Sequence, residues 1–401
     1  MNTVYVYDHL RTPRGRGRPD GALHEVPPVH LAAGLLASLR ARNGFAGEAI
    51  DDVGLGIVMP VGEQGADLTR TALVAAGYGD TVTGFQVNRF CTSGLDTVKF
   101  GHALIASGQA DAVIGGGVES MSRVPIGADG GAAYVDPRIG VTHPYIPNGV
   151  AADLMATLNG FTRDEVDAYA VESQRRAAEA VAGGRFSKSI DPVKDVIGQT
   201  LLTHDEAVRP GTTPADLAKL KPAFAGIGAE GFDHIVLQRY PSLRAIDHVH
   251  TGGNSSGIVD GAAVVLLGNE DFGKRHGLRP RARVLGSVSG ASEPLLSLGG
   301  PLPVAGRLLE RLRMSPADVD LYEVNEAFAV VPMLVARHFG LDPERVNPNG
   351  GAIALGHPLG ATGAILLGTA LDELEGRGEA TAVVALGGAV GQATALVIER
   401  V

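Results

Sequence analysis

A single cysteine lies where nucleophilic chemistry is possible. Cys91 belongs to residues 88–94 (NRFCTSG) and directly precedes a segment whose apolar spacing predicts a helix over residues 95–107. A thiol at the start of a helix meets unsatisfied backbone N–H groups and the positive end of the helix dipole, and both favour the thiolate. We therefore expect Cys91 to be a nucleophile. The alternative is that a lone cysteine is simply a packed core residue.

A histidine in a glycine-rich loop is the second candidate. His357 lies in residues 350–363 (GGAIALGHPLGATG). Because this loop carries little bulk, the imidazole is open to accept the proton of a thiol. A single histidine is more often a surface or packing residue. His357 is therefore a candidate base only because of its relation to Cys91.

The third candidate is a carboxamide at a turn. Asn325 follows a predicted strand over residues 319–323 and opens an apolar segment that is predicted to be a helix. A carboxamide in this position can hold a water molecule or an oxyanion. The alternative is that Asn325 caps the helix.

The surroundings of Cys91 and His357 repeat one another. After Cys91 come a helix and a strand over residues 112–114; after His357 come a helix over residues 364–374 and a strand over residues 382–386. In both copies the strand is predicted to end in consecutive glycines. The repeat predicts two similar halves, and packing them face to face would bring Cys91 and His357 to one cleft.

The segment between the copies differs in composition. Residues 123–250 are richer in proline, glycine and charge, with one amphipathic helix predicted over residues 164–181 and capped by Thr162. We interpret the segment as an inserted domain. Residues 224–247 mix apolar and aromatic side chains without a clear period, which leaves a packed excursion or a substrate-tunnel or partner surface open.

Charge and cysteine content exclude several classes of protein. The 401-residue chain has 34 Lys plus Arg against 44 Asp plus Glu, a formal charge of -10, so no nucleic-acid partner is expected and an anionic ligand must be captured locally. One cysteine excludes intramolecular disulfides and indicates a reducing compartment. Neither a signal peptide nor a run long enough to span a membrane is predicted, so we expect a cytoplasmic protein.

A histidine pair and an arginine loop are two further polar features that could bind a ligand. His248 and His250 have strand spacing, but no thiol or carboxylate completes a ligand set, so no metal is predicted. Four arginines form a basic loop that we interpret as solvated or facing a subunit, with phosphate contact as the alternative. They are Arg11, Arg14, Arg16 and Arg18.

Taken together and in this order, the three motifs resemble the thiolase family over essentially the whole chain. Other stretches are similar to family signatures: residues 116–122 (GGVESMS), 209–213 (RPGTT), 217–224 (LAKLKPAF) and 253–257 (GNSSG). The resemblance implies a five-layered αβαβα fold made of two duplicated halves with an inserted loop domain, assembled as a homodimer or homotetramer.

The resemblance also implies a division of the chain. The first half would comprise residues 1–122 and 251–275, the loop domain residues 123–250, and the second half residues 276–401. Residues 224–251 look most like thiolases that act on longer chains. This implies a β-oxidation hydratase or dehydrogenase subunit as a partner.

Thiolases cleave a 3-oxoacyl-CoA with coenzyme A, or run the reverse Claisen condensation, without a permanently bound cofactor. The resemblance implies that Cys91 is acylated and His357 activates it. His357 and a water on Asn325 would form one oxyanion hole, and the backbone N–H groups of Cys91 and Ala389 the other. Ser256 would touch the pantetheine arm, and the loop-domain surface would bind the CoA diphosphate.

One position departs from the family pattern. Thiolases usually carry a second, acid/base cysteine in a Cys-x-Gly pattern, and counting back from the C-terminus places it at Gly387. Losing such a group typically costs about 10² to 10⁴ in rate. Three outcomes stay open: a slowed thiolase assisted by water, an acyltransferase or hydrolase without C–C chemistry, or an engineered or degenerate change at Gly387. Acylation of Cys91 with the help of His357 is expected in all three. A non-catalytic acyl-CoA-binding subunit is the alternative outside enzymes.

Overall fold

The structure is a computed structural model that describes residues 2–401, apart from the side chains of Tyr134 and Val141. Its strands are β1 (Tyr5–Arg11), β2 (Gly15–Arg16), β3 (Asp52–Gly56), β4 (Thr83–Val87), β5 (Ala112–Ser120), β6 (Val193–Lys194), β7 (Thr200–Leu202), β8 (Val259–Gly268), β9 (Ala282–Ala291), β10 (Leu321–Val324), β11 (Thr381–Gly387) and β12 (Gln392–Arg400).

The α-helices are interleaved with these strands. They are α1 (Pro28–Asn43), α2 (Leu68–Ala75), α3 (Ser93–Ala106), α4 (Ala132–Val135), α5 (Pro137–Thr142), α6 (Asn148–Asn159), α7 (Arg163–Ala182), α8 (Pro214–Leu217), α9 (Ala225–Ile227), α10 (Asp233–Arg239), α11 (Glu270–His276), α12 (Pro301–Leu312), α13 (Val330–Phe339), α14 (Ala352–Leu355) and α15 (Thr362–Arg377).

The strand order repeats, which confirms the predicted duplication. One half of the main sheet runs β4-β3-β5-β8-β1, and the other runs β10-β11-β12-β9 with a parallel bridge from Tyr322 in β10 to Val346 in the place of a fifth strand. In each half the fourth of the five segments along the chain is parallel to the second and antiparallel to the fifth. Strands β1 and β9 pair through Tyr5–Arg283 and Val6–Ala282 and join the halves.

Helices separate and cover the two half-sheets and confirm the predicted αβαβα layers. Helices α1 and α2 pack on the outer face of the first half, and α12 and α13 on the outer face of the second. Helices α3 and α15 pack against each other between the halves. Strands β5 and β11 are buried along their whole length, as expected for strands covered on both faces.

The glycines of β5 correct the predicted end of that strand. The strand continues through Gly115–Gly117 to Ser120 instead of ending at residue 114. A Cβ on Gly115 would lie 2.7 Å from the Val98 nitrogen of α3, and one on Gly117 would lie 2.0 Å from the Gly360 carbonyl oxygen. These glycines therefore permit close approach of α3 and of the loop after His357 within the strand.

The segment of residues 123–250 contributes α4 to α10 and a small β6–β7 hairpin sheet. The predicted helix is α7, and Thr162 and Glu165 form a reciprocal capping box at its start. In residues 224–247, Val236 and Ile246 are buried against α6. The division of the chain at these residue boundaries stays a prediction.

Candidate active site

Cys91 lies between β4 and α3, as predicted. Helix α3 begins at Ser93 after Thr92, and Phe90 adopts a left-handed φ of 51°, which turns the chain into the helix. The cysteine is buried in an apolar cluster formed by Val58, Met59, Met121, Val124 and Leu359. Leu359 lies two residues after His357. Its packing in this cluster therefore holds the loop that carries His357 close to the Cys91 side chain.

Burial of Cys91 opposes the thiolate that its position before a helix favours. Burial, and after it the negative charge of Glu119, raises the pKa of the Cys91 thiol to about 12, while the local backbone hydrogen bond opposes this shift. Desolvation of a buried charge outweighs the start of a helix here. To act as a nucleophile, a thiol with such a raised pKa would need a base.

His357 has the properties of that base. The ring is buried, and burial together with the positive charge of Arg14 lowers the pKa of His357 to about 3. Its Nδ1 atom lies 2.6 Å from Thr362 Oγ1, and its Nε2 atom lies 3.4 Å from the Asn325 amide nitrogen. An amide N–H facing Nε2 favours the tautomer in which Nδ1–H donates to Thr362, which leaves the Nε2 lone pair as a base.

Asn325 is held at the end of β10 and does not cap a helix. Its backbone N–H donates to the Ala385 carbonyl at 3.0 Å, and α13 begins only at Val330, after Ala329. The capping alternative is therefore wrong. The Asn325 Oδ1 atom is buried and has no hydrogen-bond partner among the described residues. A buried acceptor of this kind is costly unless a water or a ligand satisfies it.

The loop after β11 lies against Cys91. A Cβ on Gly388 would lie 3.7 Å from the Cys91 amide nitrogen and 3.2 Å from Phe90 Cβ. The missing side chain lets the two backbones approach, and Ala389 follows in the same turn. The structure thus places the turn that carries Ala389 beside Cys91.

Gly387 faces the opposite side of β11. A Cβ there would lie 2.9 Å from the Leu298 carbonyl oxygen and 3.1 Å from Pro301 Cδ. The direction in which a side chain would extend is therefore filled by the segment that leads into α12. A water molecule does not fit along that direction without a shift of this segment.

Ser256 belongs to a loop that is tied to the other two motifs. Its N–H donates to the Ala327 carbonyl at 3.0 Å, next to the Asn325 turn. The following residue, Gly257, accepts a hydrogen bond from the His357 N–H at 3.0 Å. The structure therefore joins Ser256, Asn325 and His357 through adjacent backbone.

Glu119 and Thr362 lie within the sequence motifs, but no role was predicted for either residue. Glu119 accepts hydrogen bonds from the N–H groups of Val58, Met59 and Gly360 and from the Gln64 side chain, at 2.7–3.1 Å. Thr362 orients His357. The only sequence signal for either was its position inside a motif. The partners of Glu119 lie between 55 and 241 residues away along the chain and leave no local pattern.

The remaining polar groups do not join the site. His248 and His250 both contact Asp153, with ring nitrogens 2.7 Å from its oxygens, and no group of three or more His, Cys, Asp or Glu suited to a metal occurs among residues 2–401. The interpretation of the arginine loop as solvated is wrong for its first half. Arg11 is buried in an ion pair with Asp205, and Arg14 is buried beside it. No helix in this described range is long and apolar enough to cross a bilayer.

Comparison with known proteins decides the family. A family model of the thiolase N-terminal domain matches residues 4–230, and one of the thiolase C-terminal domain matches residues 278–400. The chain belongs to the thiolase family. It is an acyltransferase of the thiolase type.

Full-length relatives support the same assignment. The chain is 39% identical to a β-ketoadipyl-CoA thiolase of Pseudomonas knackmussii, with 99% of each chain covered. It is 35% identical to the steroid 3-ketoacyl-CoA thiolase FadA6 of Mycobacterium tuberculosis, over 100% of this chain and 95% of that one. A crystal structure of the Bacillus anthracis acetyl-CoA acetyltransferase superposes with a TM-score of 0.87 at 33% identity, covering 100% and 99% of the two chains.

Proposed function

We propose that this chain cleaves 3-oxoacyl-CoA thioesters with coenzyme A through an acyl intermediate on Cys91, with His357 as base. The observation that carries the proposal is the neutral, buried His357, whose Nδ1 lies against Thr362 and whose Nε2 makes only a long contact of 3.4 Å to the Asn325 amide nitrogen among the contacts of the described residues, so that its lone pair can take up a proton. A neutral thiol and a neutral imidazole can form their ion pair as bond formation proceeds, without a standing buried charge.

In the first half-reaction, Cys91 Sγ attacks the 3-oxo carbonyl carbon and the thiol proton passes to His357 Nε2. The C2–C3 bond then breaks, which leaves the acyl group on sulfur and the two-carbon thioester enolate. The proton held by His357 must then reach C2 of this enolate, which gives acetyl-CoA and returns His357 to its neutral form. In the second half-reaction, the thiol of coenzyme A attacks the acyl-Cys91 carbonyl and the Cys91 thiol leaves with a proton.

Two oxyanion sites support these steps. A water on the unpartnered Asn325 Oδ1, together with His357, would face the thioester oxygen of the enolate. The amides of Cys91 and Ala389 would face the tetrahedral oxyanion, an assignment supported by the close approach of Gly388 to the Cys91 nitrogen. Preorganised donors of this kind typically contribute about 10² to 10³ in rate each.

The weak point is the proton delivered to C2. Gly387 carries no acid, and Leu298 and Pro301 fill the space beside it. This observation favours a second candidate function, acyl transfer or hydrolysis through acyl-Cys91 without cleavage of a C–C bond. A non-catalytic acyl-CoA-binding subunit is disfavoured, because binding alone requires neither the oriented His357 nor the unpartnered Asn325 oxygen.

The deciding experiment measures acetyl-CoA release from acetoacetyl-CoA, 3-oxoadipyl-CoA and a long-chain 3-oxoacyl-CoA by the wild type and by Gly387→Cys. The relatives' names make the 3-oxoadipyl thioester the first choice. Gly387→Ala is the matched control, because it introduces the same Cβ against Leu298 without a thiol. Intact-mass spectrometry records acylation of Cys91 in each variant.

Robust wild-type release would support the thiolase reaction with another proton donor. Release by Gly387→Cys alone, with Gly387→Ala inactive, would assign the second function. Failure of all substrates to acylate Cys91 would overturn both. If Gly387→Ala and Gly387→Cys both unfold, Gly388→Cys tests a thiol on the face toward Cys91, where the nearest atom to the new Cβ is 3.2 Å away.

The finer features implied by the family belong to the same proposal. Coenzyme A enters as a substrate only, with no resident cofactor. Edge strand β4 leaves one side unpaired in the described chain and supports a homodimer or homotetramer built across it. A β-oxidation hydratase or dehydrogenase subunit as partner and a cytoplasmic location complete the proposal, and co-purification from a native extract tests both.

A further inference from the structure

Glu323 is a buried carboxyl group that the steps above do not use. It lies in β10 and is fully buried, and neither of its side-chain oxygens has a hydrogen-bond partner among the described residues. An unpaired carboxylate is very costly in such surroundings, whereas a neutral carboxylic acid costs much less. The position therefore favours a carboxyl group that keeps its proton.

Two other buried glutamates differ from Glu323, because their oxygens are satisfied. The Glu326 carboxylate accepts hydrogen bonds from the Tyr169 hydroxyl at 2.8 Å and from the Ser173 hydroxyl at 2.7 Å. Glu119 accepts hydrogen bonds from three backbone N–H groups and one side-chain amide. The unpartnered oxygens are thus a local feature of Glu323.

Strand alternation places Glu323 on the same side of β10 as Asn325. Tyr322 and Val324 pack into the outer cluster with α12 and α13, whereas Leu321 packs toward α15 between the halves. The Asn325 N–H still bonds to β11 at 3.0 Å, so the strand pattern extends to this residue. Since side chains alternate along a strand, Glu323 and Asn325 share the side of Leu321.

Glu323 and Asn325 both carry buried oxygens that no described residue satisfies. The Asn325 Oδ1 atom is one, and the Glu323 Oε1 and Oε2 atoms are the others. Residues two apart on a strand have Cα atoms about 6.6 Å apart, so a bridging water can contact both side chains. Buried polar groups in such a position are typically satisfied by water.

The charges around Glu323 also act on the candidate base. Burial, followed by the charges of Glu373 and Glu326, raises the pKa of Glu323 well above its ordinary value. The positive charge of Arg14 opposes this shift, and after burial it also lowers the pKa of His357. One cation thus acts on both groups, so Glu323 can hold a proton while His357 is neutral.

We propose that Glu323 holds a proton behind Asn325 and delivers it to C2 of the enolate through water bound by the Asn325 carboxamide. The inference rests on the proposed function. The C2–H bond forms as the carboxyl O–H bond breaks, and His357 then returns the proton taken from Cys91 to the Glu323 carboxylate through the same water. One proton therefore enters and one leaves in each cleavage. Glu323 does not touch the substrate and acts through Asn325 and its water.

This arrangement supplies the proton donor that Gly387 cannot provide. The Asn325 amide has no acidic proton of its own, so it can hold water but cannot supply the acid. A carboxylic acid that an apolar site keeps neutral is a known form of hydrogen-bond donor in enzymes at neutral pH. Arg14 would stabilise the carboxylate that exists between the two transfers.

The test separates two exchange reactions of acetyl-CoA. Exchange of isotopically labelled coenzyme A into acetyl-CoA passes through acetyl-Cys91 and requires no proton transfer at C2. Exchange of the C2 hydrogens with D₂O, followed by NMR, requires that transfer. The ratio of the two rates therefore isolates the proton step from binding and acylation.

Both rates are measured for wild type, Glu323→Gln, Glu323→Asp and Tyr322→Phe. Tyr322→Phe is the matched control, because Tyr322 is the preceding residue of β10, is equally buried and faces the other side of the strand. Its hydroxyl donates to the Pro316 carbonyl at 2.8 Å, so the control also removes a polar group. Urea unfolding of each variant verifies that the fold is retained.

We expect Glu323→Gln to slow C2 exchange about 100-fold and to keep exchange of labelled coenzyme A within about twofold of wild type. Thiolysis kcat should fall with C2 exchange, and Tyr322→Phe should keep the wild-type ratio of rates. Glu323→Asp retains an acid on a shorter side chain, so its ratio should lie between those of wild type and Glu323→Gln. Equal losses in both reactions of Glu323→Gln, or an unchanged C2 exchange, would overturn the proposal. If Glu323→Gln does not fold, a wild-type ratio in Glu323→Asp would overturn it.

Failure of the proposed function is recognised separately. If wild type incorporates no labelled coenzyme A, the acyl intermediate on Cys91 fails; incorporation without C2 exchange would overturn the relay. The infrared difference spectrum between wild type and Glu323→Gln reads the protonation of Glu323 without turnover. The carbonyl band of a protonated carboxylic acid at pH 8 would support the proton-holding role, and carboxylate bands alone would reject it.

Discussion

The Nδ1 atom of His357 lies 2.6 Å from the Oγ1 atom of Thr362, so a single hydroxyl holds the ring of the candidate base in place. Replacing Thr362 by Val keeps the shape but leaves a buried ring nitrogen without a partner. We expect kcat to fall about 10²-fold, within the range for a misoriented acid/base, with a loss of stability of about 1–3 kcal/mol. Steady-state kinetics and urea unfolding measure the two effects.

Thr362→Ser separates positioning from packing. It keeps the hydroxyl and removes a methyl group, so it should retain kcat within about fivefold while losing some stability. If Thr362→Ser and Thr362→Val lose kcat equally, the hydroxyl does not orient His357. The role of Thr362 would then be packing alone.

The resting state of Cys91 is open to direct measurement, because it is the only cysteine of the chain. A pKa raised to about 12 by burial predicts that the rate of iodoacetamide alkylation rises about tenfold per pH unit from pH 7 to pH 10. Intact-mass spectrometry follows the reaction, with Cys91→Ser as the blank. A rate that levels off below pH 7 would show instead a standing thiolate–imidazolium pair.

Acid should destabilise the fold through His357. In the unfolded chain this histidine binds a proton below pH 6.5, whereas in the folded chain its pKa lies at about 3, so stability falls as the pH drops through this window. The loss attributable to His357 between pH 7.5 and pH 5 is about 2 kcal/mol. Urea unfolding of wild type and His357→Gln should therefore converge toward pH 5. Parallel curves would contradict a neutral His357.

The repeat around Cys91 and His357 let the sequence predict the duplicated fold, because each copy carries its order of turn, helix and strand locally. The prediction of strand ends failed where a strand depends on contacts that are distant along the chain. Gly115–Gly117 looked like a strand end, yet they lie inside β5, since the segment that approaches them includes Gly360, more than 240 residues away. No pattern near β5 records that contact.

The site residues, too, could be predicted only in part from the sequence. The position of Cys91 before a helix was predicted correctly. The burial that raises the pKa of its thiol could not be predicted, because the residues that bury it, such as Met121 and Leu359, come from other parts of the chain. Asn325 looked equally suited to cap a helix until the start of α13 at Val330 excluded it. Motifs identify the reacting groups, whereas burial and partners decide their charge.

Glu119 joins the two sides of the site and offers the sharpest test of that architecture. Its two oxygens accept N–H groups from Val58, Met59 and Gly360 and the amide of Gln64, so the carboxylate ties the loop after β3 to the turn after His357. Glu119→Gln would place an amide N–H₂ against backbone donors. We expect a loss of about 3 kcal/mol in the free energy of unfolding, measured in urea, because two buried donors lose their acceptor.

Ser120 is the matched control for Glu119, since it is the next residue of β5 and equally buried, and its hydroxyl has no partner among the described residues. Ser120→Ala should therefore be neutral or slightly stabilising.

Burial raises the pKa of Glu119 itself, while its four donors oppose that shift. Removing its charge also relieves the repulsion on a Cys91 thiolate, so surviving Glu119→Gln protein should be alkylated faster than wild type at pH 8. Slower alkylation with unchanged stability would show that Glu119 does not set the charge of the site.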